Sequence, residues 1–123
     1  MQLRIARHTE RLEELVRFYR DGIGLREVGR FHDHAGYDGV FLAVDGSGGH
    51  LEFTAGGGEA APEPHPESLL VLYLGDGETV RAVRTRLGVD PVAASNPYWD
   101  EHGVTVEDPD GFRVVLVPED WQG

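Results

Sequence analysis

The chain has 123 residues, of which 40% are hydrophobic, and a formal net charge of −11. This length suits one domain or two small repeats, and no apolar run approaches the roughly 20 residues that span a membrane. A nucleic-acid interface needs a basic surface, so 22 acidic against 11 basic residues, all of them arginine, argue against one. The lack of cysteine excludes disulfides, and the absence of an apolar N-terminal segment predicts a cytoplasmic protein.

The first half of the chain has the pattern of one helix among four strands. Apolar residues at Leu12, Leu15, Val16 and Tyr19 follow the helical spacing i, i+3, i+4 and i+7. Thr9 is expected to cap this helix and Gly22 to end it. The expected order is strand 3–7, helix 10–21 and strands 25–32, 39–45 and 50–54.

The second half repeats that order after a segment rich in glycine and proline. The segment 55–67, AGGGEAAPEPHPE, is predicted to be a linker or a mobile flap. The elements expected after it are strand 69–74, helix 78–88, a weak strand at 90–95 and strands 102–107 and 112–117. The repeat predicts a single domain, 1–123, made of a first module at 1–54 and a second module at 68–123.

The stretch EDPDGFRVVL at 107–116 contains a turn and a strand. Pro109 suits the second position of a turn, Asp108 can bind nearby amides, and Gly111 can adopt a positive φ. In the alternating strand that follows, Arg113 and Val115 share one face.

Three segments together resemble one protein group. LEELVRFYRDGIGL (12–25), GGHLEFT (48–54) and DPDGFRVVLV (108–117) resemble the vicinal oxygen chelate superfamily, which includes glyoxalase I, extradiol dioxygenases and bleomycin-resistance proteins. The chain looks most similar to an uncharacterised bacterial subgroup. The resemblance implies an α+β fold in which two βαβββ modules form a cup-shaped curled sheet. It also implies a homodimer and a small-molecule ligand.

The resemblance also implies where a divalent metal would be bound in the enzymes of the superfamily. The four metal positions correspond to Arg4, Glu52, Leu69 and Val115, and only Glu52 can ligate a cation. We therefore expect no metal cofactor at the usual site. An ion pair between Arg4 and Glu52 is one possible replacement, and Arg4 would then help to fix the pocket or bind the ligand. A divalent metal at a non-standard site is the alternative.

Two groups of histidines offer other chemistry. His50 and Glu52 are two residues apart on one strand, so they point to the same side and form a candidate catalytic or ligand-anchoring pair. His32 and His34 in HDH can chelate a metal if Glu52 or His50 faces them, or they are solvated residues at a strand end.

The segment NPYWDEHG at 96–103 combines aromatic and acidic side chains. Tyr98, Trp99 and His102 beside carboxylates favour a flat or cationic ligand, through stacking and cation–π contact. The same rings would suit a sheet edge without a ligand. Other ligand contacts are expected from strand residues on the cup-facing sides of the second module: Tyr73, Thr105 and Arg113.

Three functional hypotheses follow. The first is a metal-independent binding protein similar to bleomycin-resistance proteins, which sequesters a small cationic or aromatic metabolite or drug. The second is a lyase, isomerase or dioxygenase whose metal or proton transfer uses Glu52 and His50, with His102 or His34. The third is an interaction module with a collapsed cup.

Overall fold

The structure is a computed structural model that describes residues 1–123. The chain divides into two compact units, Met1–Glu63 and Pro64–Gly123. The boundary lies within the glycine- and proline-rich segment 55–67. No helix is long and apolar enough to cross a lipid bilayer.

The first unit is a four-stranded sheet with one helix. Its strand order is β1-β4-β3-β2, with β1 parallel to β4 and the other pairs antiparallel. The core between sheet and helix is apolar, because Leu15, Val16 and Tyr19 from the helix and Leu42 and Phe53 from the sheet are almost fully buried. The strands are β1 (Leu3–His8), β2 (Arg26–His34), β3 (Tyr37–Val44) and β4 (Gly49–Gly56).

The helix of this unit is longer at its end than the sequence predicts. Helix α1 (Leu12–Val16) continues as wide π-helical turns over Arg17–Ile23. It passes the expected stop at Gly22 and ends at Gly24, which has a left-handed φ of 100°. Within these wider turns, Tyr19 and Ile23 are both buried in the core. A helix that ended at Gly22 would not include Ile23.

The second unit is a three-stranded sheet with order β5-β7-β6. Asp76 begins its longer helix by accepting a hydrogen bond from the Thr79 amide, and Gly88 ends that helix with a left-handed φ of 62°. The weak strand expected at 90–95 is reduced to one bridge between Val92 and Thr105. The elements are β5 (Leu69–Tyr73), α2 (Gly77–Leu87), α3 (Pro97–His102), β6 (Val104–Glu107) and β7 (Arg113–Val117).

The strand register places the side chains of this sheet on two faces. Val80 and Val83 of α2 are buried and belong to the core. Residues directly paired across a sheet point the same way, so one face is defined by the pairs Leu69–Arg113, Val71–Val115, Tyr73–Val117 and Thr105–Val115. The predicted α+β class is confirmed.

The predicted turn before β7 is also present. Asp108 accepts hydrogen bonds from the amides of Asp110 and Phe112 at 2.9 and 3.0 Å. Gly111 has a φ of 91°, a conformation in which a side chain would be strained. The turn thereby fixes where β7 begins and which of its residues face each side.

Candidate functional site

In the first unit, an arginine joins the two residues proposed as a catalytic pair. Parallel pairing of β1 with β4 sets Arg4 beside His50. The Arg4 Nε donates a hydrogen bond to His50 Nε2 at 2.8 Å, and its Nη1 lies 3.8 Å from Glu52 Oε2. The guanidinium carbon lies 4.8 Å from the centre of the Phe41 ring. Phe41 pairs with Glu52 across β3 and β4, so these four residues share one sheet face.

This arrangement commits His50 to one role. An arginine donates and never accepts, so the hydrogen bond occupies the lone pair on His50 Nε2. The Arg4 side chain is 52% exposed and that of Glu52 only 16%. Solvent therefore screens the ion pair, which contributes little to stability. The ion pair expected between Arg4 and Glu52 is therefore present, but it is partly exposed rather than buried.

The residues at the superfamily's metal positions do not fit a divalent cation. Arg4 carries a fixed positive charge and is bonded to the imidazole nitrogen that would otherwise ligate. Val115 is fully buried and Leu69 is apolar. No group of three or more histidine or acidic side chains is arranged to hold a metal ion.

The histidines of HDH lie at the end of a hairpin. His32 Nδ1 is 2.7 Å from Asp38 Oδ1, and the pKa of Asp38 is lowered by a hydrogen bond from the Asp33 amide and by the nearby imidazole. His34 pairs with Tyr37, whereas Glu52 pairs with Phe41, four residues further along β3. At roughly 3.3 Å per residue this separation is about 13 Å. The suggested metal site joining His34 to Glu52 is therefore wrong.

In the second unit, all of the predicted aromatic ligand contacts line one pocket. The pocket has a volume of about 290 Å³. Both tryptophans of the chain belong to its lining, one from α3 and one from the C-terminal segment. Its walls are Tyr73, Tyr98, Trp99, His102, Val117, Glu119, Asp120, Trp121, Gln122 and Gly123.

The short helix α3 orients the rings on one side of this pocket. Asn96 accepts a hydrogen bond from the Tyr98 amide, and Pro97 at the first helical position suits the helix start. His102 lies one turn after Tyr98, so the two rings stack with centres 3.9 Å apart. The His102 Nδ1 donates to the Tyr98 carbonyl oxygen at 2.7 Å, which leaves Nε2 as the acceptor of the neutral ring. Trp99 meets Tyr98 edge to face at 4.9 Å.

Two other predicted ligand contacts are held in the framework of the second unit. Thr105 is 1% exposed, and its hydroxyl has no hydrogen-bond partner. The Arg113 Nη1 donates to the Ala93 carbonyl oxygen at 3.1 Å, and its Nε is 3.4 Å from Glu107 Oε2. Arg113 thus ties the segment before α3 to the sheet.

Sequence reasoning missed Phe41 in the first group and the residues after Leu116 in the second. Phe41 lies beneath Arg4, and its only signal was its position opposite Glu52 in the hairpin. Glu119, Asp120 and Trp121 follow the last predicted strand, where no periodic pattern marks them, and the 70% exposure of Trp121, which is unusual for a large ring, is visible only in the structure.

Sequence comparisons give two family matches and a close relative. Residues 3–54 match the YycE-like N-terminal domain and residues 67–118 match the YycE-like C-terminal domain. The chain is 47% identical over 120 residues to the uncharacterized protein YycE of Bacillus subtilis (strain 168). That alignment covers 94% of this chain and 86% of the relative.

Solved structures with the same fold include both close and distant proteins. A crystal structure of YycE from Bacillus subtilis, a protein of unknown function, has a TM-score of 0.91 at 43% identity and covers 99% of this chain and 92% of that one. Glyoxalase I of Leishmania major gives 0.73 at 20% identity, with 95% and 85% covered. The fosfomycin resistance protein FosX of Mesorhizobium loti gives 0.69 at 15% identity, with 94% and 88% covered. These similarities confirm the expected glyoxalase/bleomycin resistance fold.

Proposed function

This chain belongs to the YycE-like family of the vicinal oxygen chelate superfamily, and we propose that it is a metal-independent binding protein for a small cationic or aromatic molecule. The observation that carries the proposal is the pocket of the second unit. There, Tyr73, Tyr98 and both tryptophans lie beside two carboxylates, Glu119 and Asp120, and no lysine or arginine lines the pocket. Such a lining attracts flat or positively charged ligands.

The size and exposure of the pocket suit a small ligand. Its volume of about 290 Å³ is at the lower end for ligand sites. Tyr73, Tyr98 and Trp121 are 39%, 51% and 70% exposed, so part of each side chain is accessible before any ligand arrives, although His102 covers one face of the Tyr98 ring. A ligand that covers these rings removes apolar surface from water, which favours binding by about 25 cal/mol for each Å² buried.

Metal-dependent catalysis is less favoured than binding, because Arg4 engages both Glu52 and His50. In this proposal Glu52 and His50 hold the Arg4 guanidinium over Phe41 and neither is a metal ligand. We therefore propose that binding needs no metal cofactor.

The proposal is tested on untagged protein treated with a chelator. Thermal shift identifies binders among cationic and aromatic compounds, and calorimetry measures their affinity. We expect binding without added metal. We expect Tyr98→Ala to weaken the binding about tenfold, because the cation–π and stacking contacts of a partly exposed ring contribute roughly 1.4 kcal/mol together. Val28→Ala is the matched control, since Val28 is 50% exposed and lies in the other unit.

Two outcomes would contradict the proposal. One is the failure of every compound to bind. The other is binding that requires a divalent metal and disappears in Glu52→Ala, which would favour the metal-dependent alternative.

We also propose that the protein acts in the cytoplasm as a homodimer. The dimer rests on the resemblance to the superfamily. Light scattering coupled to size-exclusion chromatography tests it, and a mass near the 13.5 kDa of one chain would refute it.

A further inference from the structure

The rings of the second unit's pocket come from three separate segments. Tyr73 ends β5, Tyr98 and Trp99 lie in α3, and Trp121 belongs to the segment after β7. Rings from separate segments can surround a ligand, whereas rings on one helix offer only one side. Each aromatic face carries negative electrostatic potential, so several faces around one space favour a cation there.

The charges of the lining have the same preference. Its acidic side chains are Glu119 and Asp120, and no arginine lies in the lining beside them. His102 donates a hydrogen bond from Nδ1 to the Tyr98 carbonyl oxygen, and its ring stacks on the Tyr98 ring. The lining therefore combines aromatic side chains with negative charge and contains no arginine.

The balance of rings and acceptors separates one class of cation from others. A primary ammonium group is compact and strongly hydrated, and it needs up to three hydrogen-bond acceptors to replace its water. An alkylated ammonium group has few or no N–H donors and spreads its charge over carbon-bound hydrogens. It is the class of cation that aromatic cages bind best.

We propose that this pocket, formed around Tyr73, Trp99 and Trp121, binds a tertiary or quaternary alkylammonium group, with Glu119 and Asp120 supplying the countercharge. This inference rests on the proposed function and specifies its ligand class. The alkyl carbons pack against the rings, and the carboxylates balance the charge without a directed hydrogen bond.

The experiment compares three probes by calorimetry on the full chain without added metal. Benzyltrimethylammonium tests an alkylated cation with a ring, benzylammonium tests a primary amine, and benzyl alcohol tests a neutral aromatic. Fluorescence gives a second readout, because both tryptophans of the chain line the pocket. We expect benzyltrimethylammonium to bind at least tenfold more tightly than either of the other probes.

Variants then test where the cation lies. Trp121→Ala should weaken the binding of benzyltrimethylammonium at least fivefold. Because Trp121 is 70% exposed, the fold does not depend on its side chain. Asp120→Asn should weaken the binding of benzyltrimethylammonium at least threefold. Glu101→Gln should leave it unchanged, since Glu101 is an exposed residue of α3 that lies outside the lining. The affinity for benzyl alcohol should be the same in Asp120→Asn as in the wild-type protein.

The outcomes separate this inference from the proposed function. Equal binding of the alcohol and the alkylated cation would overturn the alkylammonium assignment and leave aromatic binding intact. Equal or tighter binding of benzylammonium would overturn it in favour of primary amines. Full binding in both Trp121→Ala and Asp120→Asn would overturn the location. Failure of all three probes, together with a negative wider screen, would overturn both proposals.

Discussion

Replacing Arg4 should change the response of the first unit to divalent metals. A cation bound to His50 Nε2 would lie about 4 Å from the guanidinium charge that now bonds to that nitrogen. At this distance a divalent cation and the singly charged guanidinium repel each other by about 2 kcal/mol at the dielectric constant of water. That dielectric constant suits an arginine that is 52% exposed. This repulsion alone weakens metal binding about 30-fold, and the occupied lone pair of His50 weakens it further.

The variant Arg4→His removes the charge and adds a third donor. Arg4 and His50 are register neighbours on parallel strands, and Glu52 points to the same side, so three donors would face one ion. We expect Arg4→His to retain about one Zn²⁺ or Ni²⁺ per chain after desalting, and Arg4→Ala to bind only weakly, since two protein ligands remain. The wild-type protein should retain almost none.

Mass spectrometry of metal per chain, on untagged protein, measures these differences. Arg17→His is the control, because it places the same imidazole at an exposed site on the helix. The reasoning is refuted if wild-type protein retains a stoichiometric metal that Glu52→Ala abolishes. It is also refuted if Arg4→His retains no more metal than Arg17→His.

Three further predictions concern stability. Tyr19→Phe should lower the free energy of unfolding by about 1 kcal/mol in denaturant titrations, since it removes a buried hydroxyl that accepts from Arg7 Nη2 at 2.8 Å; an unchanged midpoint would contradict this. Thr105→Val should raise it by about 1 kcal/mol, because a buried hydroxyl without a partner is replaced by a methyl of similar size, and destabilisation would show that the hydroxyl is satisfied. The Thr79 amide lowers the pKa of Asp76 from its usual 3.8, so the stability that Asp76 adds is complete above this value and lost as the pH falls through the lower folded value. Asp76→Asn should abolish this acid-limb contribution in melts below about pH 4, and an unaltered pH dependence would refute it.

Local patterns in the sequence were sufficient for most elements. Asp76 and Gly88 bracket α2 because a side-chain acceptor and a left-handed glycine satisfy the two helix ends. The DPDG turn was predictable for the same kind of reason. The element at 90–95 was not, because the following Asn96–Pro97 pair begins a helix and leaves only the Val92 bridge to the sheet.

The sequence by itself determined which residues share a face, since alternation along β4 puts His50 and Glu52 on one side. Only the tertiary structure decided what faces them. Arg4 is 46 residues from His50, and their hydrogen bond depends on the parallel register of β1 and β4. Trp121 lines a pocket with Tyr73 because the chain after β7 passes that end of β5. Turns and periodicities are encoded by neighbouring residues. Contacts between residues far apart in the sequence depend on how distant strands align, which no local pattern specifies.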